Sequence, residues 1–380
     1  MNFEPYPFEK LNNLLKDIIP SKDYKPSTLT IGEPQFETPS FIQQELCKST
    51  SELRKYPKSA GEDSLREAMR EFFKKRFSIE LKDTQLIPTF GTREVLFNFP
   101  QFYLFDKKEP TMAFTNPFYQ IYEGAAIASR AKVIHLNLTE KNNFKPQIDE
   151  DELSKCDLVI LNFPNNPTAS TLSLEELGVW VKLSLKYNFI LINDECYSEL
   201  FSEDAPPSLL EACRAVGNSS FKNTLVINSI SKRSSAPGLR SGFIAGDEEI
   251  LAQYLNYRTY IGCASPIPLQ NAATVAWRDE EHVEASRKIY KKNFELAKEI
   301  LGIEVSNATF YVWLKVPNPL EFTKMLYAKY NVKVLPGEFL ARDADGINPG
   351  KEYIRIALVE DEEKTKEALI RIKKALHEFR

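Results

Sequence analysis

The chain has 380 residues, with 49 Lys and Arg against 53 Asp and Glu, so its formal net charge is −4. Hydrophobic residues at 43%, with 25 Phe and 16 Tyr, describe a folded protein, and the mild acidity argues against nucleic acid as the main partner. Only three scattered histidines occur, His135, His282 and His377, which argues against a histidine-rich metal site and leaves a Ser-His-Asp site without support.

Met1 leads directly into Phe3-Glu4-Pro5-Tyr6, with no basic or apolar leader, so no signal peptide is expected. Phe8, Leu11, Leu14, Leu15, Ile18 and Ile19 then form a helical stripe. Leu86 to Phe90 reads as a strand, and Gly91-Thr92-Arg93 opens a helix behind it. Through the middle, strands are expected at 111–114, 132–138, 157–163, 189–193, 224–229 and 242–245, with helices at 119–129 and 173–187 between them. Several strands are apolar on both faces, which predicts a parallel sheet covered by helices, an α/β layer fold. Beyond about residue 265 the pattern changes. Ile267 to Leu301 reads as one or two long helices, followed by strands at 310–316, 332–335 and 353–359 and helices at 320–330 and 362–379. That predicts a separate α+β domain. No apolar run reaches the 20 or so residues of a membrane span. The five cysteines, Cys47, Cys156, Cys196, Cys213 and Cys263, form no C-x-x-C pair and read as reduced thiols of a cytoplasmic protein.

The chemistry gathers at strand ends. Lys232 follows the strand at 224–229, Asp194 ends the strand at 189–193 with Tyr197 three residues on, Asn166 follows the strand at 157–163, and Gly91-Thr92-Arg93 follows Leu86 to Phe90. In a parallel sheet these ends share one edge, where α/β proteins bind ligands. A lysine, a carboxylate with a phenol, an amide and a phosphate-sized turn together match pyridoxal phosphate. Its aldehyde condenses with an amine, its ring nitrogen needs a carboxylate, its phenolic oxygen needs donors, and its phosphate suits a helix N-terminus. Taken singly, Lys232 is an ordinary loop lysine, Tyr197 a packing phenol, Arg240 a surface cation, Cys196 strand packing, and Arg355 a partner for an acid such as Glu360.

With these residues the chain resembles the fold-type I, class I/II aminotransferases of the aspartate aminotransferase superfamily, over nearly its whole length. Ile31-Gly32-Glu33-Pro34 resembles the family's substrate-binding turn, and Tyr56, ahead of Gly61 and Leu65-Arg66, its tyrosine that reaches the neighbouring subunit's phosphate. Gly91-Thr92-Arg93 resembles the phosphate loop, and Tyr119 the aromatic that stacks on the pyridine ring. Asn166, Asp194, Tyr197, Ser229, Lys232 and Arg240 match the cofactor motifs, and Arg355 the arginine that holds the substrate α-carboxylate. One departure is Ala169, where the family pattern N-N-P-T-G ends in glycine.

The resemblance implies a three-layer α/β fold with a mostly parallel central sheet and a smaller α+β domain. It divides the chain into an N-terminal arm at 1–45, a cofactor domain at 46–275 and a small domain at 276–380. It implies transamination with Lys232 as base and Asp194 and Tyr197 beside it, pyridoxal phosphate as cofactor, amino acids and 2-oxo acids as substrates, no metal, and a homodimer with shared sites. Gly32, Asn166 and Arg355 are the implied substrate contacts. Pro5 to Leu11, Gly91 to Glu94, Leu335 to Arg342 and Gly346 to Val359 are most similar to the N-succinyldiaminopimelate aminotransferases. That implies N-succinyl-LL-2,6-diaminopimelate and 2-oxoglutarate as the pair, with Lys58, Arg93 and Arg342 as candidates for the distal carboxylates. Aspartate, aromatic or kynurenine aminotransferases and carbon–sulfur lyases are the alternatives within the family. A regulator built on the same domain would need a basic N-terminal domain, for which the roughly 30 residues before Gly32 leave little room.

Overall fold

The computed structural model describes residues 3–147 and 149–379; Met1, read above for a leader, lies outside them. Seven strands form the central sheet: β1 (Leu86–Thr89), β2 (Thr111–Asn116), β3 (Lys132–Asn137), β4 (Leu158–Leu161), β5 (Ile190–Asp194), β6 (Thr224–Ser229) and β7 (Gly242–Gly246), in the spatial order β1-β7-β6-β5-β4-β2-β3. The strands from β6 through β5, β4 and β2 to β3 are parallel. Strand β7 runs antiparallel to both its neighbours, β6 and β1. The sheet is thus mostly parallel, with one reversed strand that the apolar pattern did not distinguish from the rest.

Alternate residues of each inner strand feed opposite cores. Ala113, Val159, Leu191 and Val226 pack into one helical layer, beside Phe72, Phe73 and Trp277. Phe114, Ile160, Ile192 and Ile227 pack into the other, beside Phe99 and Tyr254. This two-sided burial is why these strands read as continuous apolar runs. Fully burying one such Ile or Leu contributes about 1.5–3 kcal/mol.

A second sheet has three antiparallel strands, β8 (Tyr311–Lys315), β9 (Leu335–Pro336) and β10 (Tyr353–Ala357), in the order β9-β10-β8. Its core takes Val312, Leu314, Ile354 and Ile356 from the strands and Leu369 and Ile372 from the last helix. The single strand expected at 332–335 is divided: Val332–Lys333 pairs in parallel with Ser27–Thr28, whereas Leu335–Pro336 joins the three-stranded sheet. The N-terminal stripe forms the Pro7–Leu15 helix and buries Leu11 and Leu15 against Leu335 and Leu340. Both ends of the chain therefore pack together. The stretch from Ile267 to Leu301 resolves into two helices, Ile267–Arg278 and Glu281–Leu301. They break at Asp279, whose extended backbone stops the first helix and whose carboxylate accepts the His282 N–H at 3.1 Å.

Candidate active site

Strand direction explains what meets at one edge. β1, β4, β5 and β6 all end there, and because β7 is reversed it begins there, with Gly242 opposite both Ser229 and Thr89. The turn after β1 carries Gly91, the turn after β4 Asn166, the end of β5 Asp194, the turn after β6 Lys232, and the turn before β7 Arg240. All five line, or directly touch residues that line, a cleft of about 780 Å³.

Local hydrogen bonds shape each turn. After β4, the Asn162 side-chain oxygen accepts the Asn166 N–H at 2.9 Å, and its amide donates to the Asp194 carbonyl at 2.8 Å. Asn165 then accepts from both the N–H and the hydroxyl of Thr168. Ala169 holds a left-handed φ of 60°. Glycine would adopt it freely and alanine does so at a cost of about 1–2 kcal/mol. Its methyl is buried in a cluster that includes Tyr197, Leu200 and Phe310, so the departure from the family pattern preserves the turn.

Asp194 is 4% exposed, and burial raises its carboxyl above the usual value. Its acceptors are met only by neutral donors: the Tyr122 hydroxyl at 2.9 Å and the Cys196 N–H at 3.2 Å. Among the described residues no lysine or arginine pairs with it. Tyr197, also buried, shares a 3.0 Å hydrogen bond with the hydroxyl of Tyr311. Tyr122 and Tyr311 were not singled out from the sequence. Tyr122 lies three residues beyond Tyr119, in the first turn of the Ile121–Ser129 helix, and its N–H donates to the Tyr119 carbonyl at 3.0 Å. Tyr311 sits in a predicted strand with nothing to mark it.

Lys232 sits on the single helical turn Ile230–Arg233, whose first turn is capped by Ser229 accepting the Ser231 N–H at 3.2 Å. Its amine donates to the Gly32 carbonyl. Burial lowers the Lys232 amine to about 8, helped by the nearby positive charge of Arg355 and Arg240. An amine of that kind is substantially unprotonated at a mildly alkaline pH and can accept a proton. Arg240 folds back to donate to the Pro237 carbonyl at 2.7 Å. A Cβ on Gly91 would lie 2.2 Å from the Arg240 guanidinium, and Gly91 has a φ of +73°. The backbone angle favours glycine, and the guanidinium lies directly against the start of the Thr92–Tyr103 helix.

Arg355, on β10, lines the same cleft. It donates to the Asn166 side-chain oxygen at 2.8 Å and to the Thr30 carbonyl at 2.6 Å, and its ring neighbour is Tyr311. Its Nε is buried without a partner. Glu360, the acid considered above, pairs instead with Lys364. Gly32 is required here: a Cβ would lie 1.8 Å from the Tyr311 hydroxyl.

The three candidate distal cations separate. Arg342 is held in a two-pronged ion pair by Glu123, at 2.8 and 2.6 Å, over the Phe118 ring, and lies outside the cleft. Lys58 is exposed beside Glu62 and Asp63, also away from it. The carboxylates beside Lys58 stand four and five residues on in the chain, whereas the one that holds Arg342 is distant in sequence. Arg93 does line the cleft, donating from Nε to the Tyr119 hydroxyl at 2.8 Å, and among the described residues it pairs with no carboxylate. Tyr56 is fully exposed and outside the cleft.

Two observations test these residues against pyridoxal phosphate. A buried carboxylate lacking a cation is costly unless something positive meets it, and a protonated ring nitrogen at Asp194 supplies that charge. The start of the Thr92–Tyr103 helix has no side-chain cap, so its N–H groups and Arg240 together offer a cradle for a dianionic phosphate. Lys232 and Tyr119 lie in the same cleft. The donor set fits the cofactor.

A family model described as aminotransferase class I and II matches residues 25–372. An aminotransferase named AspB from Helicobacter pylori has the same fold with a TM-score of 0.96 and 53% identity, over 99% of this chain and 100% of that one. An aminotransferase from Neisseria meningitidis matches with a TM-score of 0.94 and 39% identity, over 100% and 98%. An LL-diaminopimelate aminotransferase of Natranaerobius thermophilus is 31% identical, over 98% of this chain and 97% of its own length.

Proposed function

This chain belongs to the class I and II aminotransferases, and we propose that it transfers the amino group of a diaminopimelate-type substrate to 2-oxoglutarate. The observation that carries the aminotransferase reading is the presence, in one cleft, of the Lys232 amine and the Arg355 guanidinium, whose buried Nε has no partner.

The family depends on pyridoxal phosphate, which supplies an aldehyde that condenses with amines and a ring that takes up an electron pair from the substrate α-carbon. Gly91, Thr92, Ser229 and Arg240 would hold its phosphate, Asn166 and Tyr197 its phenolic oxygen, Asp194 its ring nitrogen, and Tyr119 its ring face. Arg355 grips the substrate α-carboxylate in the forked geometry that a guanidinium offers and an ammonium does not. Asn166 and the Thr30 carbonyl fix the plane of that fork. Lys232 Nζ, as a neutral amine, takes the substrate α-proton and hands it on. Gly32, by accepting from Nζ, aims it across the cleft.

The N-succinyl-LL-2,6-diaminopimelate reading is supported by the segments shared with that subfamily and by Arg93, a cation without a carboxylate partner at the cleft wall. Free LL-diaminopimelate is the second reading, favoured by the name of the 31%-identical relative. The test is a panel of N-succinyl-LL-diaminopimelate, LL-diaminopimelate, aspartate and tyrosine, each with 2-oxoglutarate. Highest kcat/KM on either of the first two supports the substrate class; activity on tyrosine alone ends it. Arg93→Gln is expected to raise KM for the preferred donor about tenfold or more, since hydrogen bonds to a charged group contribute about 1.5–3 kcal/mol. An unchanged KM removes Arg93 from distal recognition.

We read the working form as a cytoplasmic homodimer. The wholly exposed Tyr56 suits a residue that serves the partner's phosphate, and five unpaired cysteines suit a reducing compartment. Light scattering on the cofactor-loaded protein is expected to give twice the chain mass; a monomer at assay concentration ends the Tyr56 role.

A further inference from the structure

Outside the cleft, the structure brings Ser234 against His282, 48 positions on in the chain, which pairs with Asp279 three residues before it. His282 Nε2 lies 2.8 Å from the Ser234 hydroxyl, and its Nδ1 lies 2.5 Å from an Asp279 carboxylate oxygen. An ionised carboxylate only accepts, so Asp279 places a proton on Nδ1 and leaves Nε2 to accept from Ser234. This is not a hydrolytic site. Ser234 has 0% exposed surface, and no substrate reaches its oxygen.

Its place in the chain gives it another use. Ser234 follows Lys232 by two residues, at the end of the four-residue turn Ile230–Arg233. One helical turn does not hold itself together, so its neighbours decide where Lys232 stands. Arg233 donates to the Ala276 carbonyl at 2.7 Å, the Asp279 carbonyl at 3.1 Å and the Glu280 carboxylate at 2.5 Å. Ser234 adds the bond to His282. Two consecutive side chains thus tie the lysine turn to the break between the Ile267–Arg278 and Glu281–Leu301 helices. Further along the second helix, Asn293 donates to the carbonyls of Leu358 at 3.3 Å and Glu360 at 2.9 Å, just beyond the strand that bears Arg355. From His282 to Asn293 that helix spans about 16 Å. One helix therefore touches both the turn that bears Lys232 and the segment that follows the strand bearing Arg355.

We propose that Ser234, His282 and Asp279 form a positioning array that locks the Lys232 turn to the Glu281–Leu301 helix and so sets where the Lys232 amine stands relative to Arg355. None of the three touches substrate; each acts through Lys232. The inference rests on the aminotransferase reading, which gives Lys232 its task.

Ser234→Ala and His282→Gln, singly and together, test it in the pyridoxal phosphate-loaded enzyme. Each single change is expected to lower kcat about 10- to 100-fold, the scale of a small misplacement of a reacting group, with KM for the amino donor little changed. The double variant is expected to be no worse than the poorer single one, because both changes break one unit. A readout apart from turnover is the pH midpoint of the bound cofactor's visible absorbance, expected to move in the same direction in both single variants. The proposal is overturned if kcat and the midpoint stay at wild-type values, even with a lowered melting temperature, or if the two losses multiply. Should one single variant not fold, the other decides on the same two readouts. A wild-type protein that fails to transaminate overturns the aminotransferase reading instead.

Discussion

Lys232→Ala is expected to lower turnover by about 10⁴-fold or more and to abolish the visible absorbance of cofactor joined to the protein. Two roles vanish with one side chain. The amine that condenses with the aldehyde is gone, and so is the proton acceptor facing the substrate α-carbon. The neighbours offer no substitute. Tyr197 is a phenol whose burial raises it well above its ordinary value. The Cys196 thiol, half-buried beside Asp194, is likewise pushed well above its ordinary value by desolvation. Arg240 and Arg355 carry guanidinium groups, which donate hydrogen bonds and accept none. An absorbance titration with added pyridoxal phosphate and a single-turnover assay check both halves. A variant that keeps the band and the turnover would overturn the assignment of Lys232.

Asp194→Asn is expected to lower kcat/KM by about 10²- to 5 × 10³-fold, the effect of removing one partner from a buried charge pair of about 3–5 kcal/mol. The same change has an opposite sign in the protein without cofactor. Burial raises the Asp194 carboxyl above its unfolded value of 3.8. The folded state therefore holds a proton more tightly than the unfolded one, and stability falls as pH rises from about 3.8 through the folded value. At neutral pH the unoccupied site carries that cost, and asparagine removes it while still accepting from the Tyr122 hydroxyl. Melting curves at pH 7 are expected to show the cofactor-free variant at least as stable as wild type. Added pyridoxal phosphate then raises the wild-type melting temperature more than that of the variant. A cofactor-free variant that melts clearly lower would show that Asp194 is a structural anion.

Much of this was readable from residue order, for identifiable reasons. Strands buried on both faces declare themselves as apolar runs, and the residues that end them sit at a sheet edge by topology alone. Asp194, Asn166 and Lys232 were found that way. Features that depend on two distant segments were not. The ion pair that removes Arg342 from the cleft spans 219 positions to Glu123, and the phenol that meets Tyr197 lies 114 positions away. The reversal of β7 left no trace, because an antiparallel strand buried on both faces has the same composition as a parallel one. The two short strands between 332 and 336 could not be told apart by periodicity, since each contains only two residues. The histidine count argued against a Ser-His-Asp arrangement. One formed nonetheless, with its serine fully buried.

The parallel pairing of Ser27–Thr28 with Val332–Lys333 bears on how the protein is made. The first of these segments leaves the ribosome roughly 15 to 60 s before its partner, at ordinary rates of synthesis. Through that interval Leu29, which belongs to the core of the second sheet, and the apolar face of the Pro7–Leu15 helix have nothing to cover them. The central sheet can assemble meanwhile, since all seven of its strands lie between Leu86 and Gly246. Nascent chains would therefore pass through a stage with a formed sheet and a sticky amino-terminal tail. Chains cut short before residue 332 would never leave it, which makes premature termination and proteolysis near the carboxyl end the natural routes to aggregation for this protein.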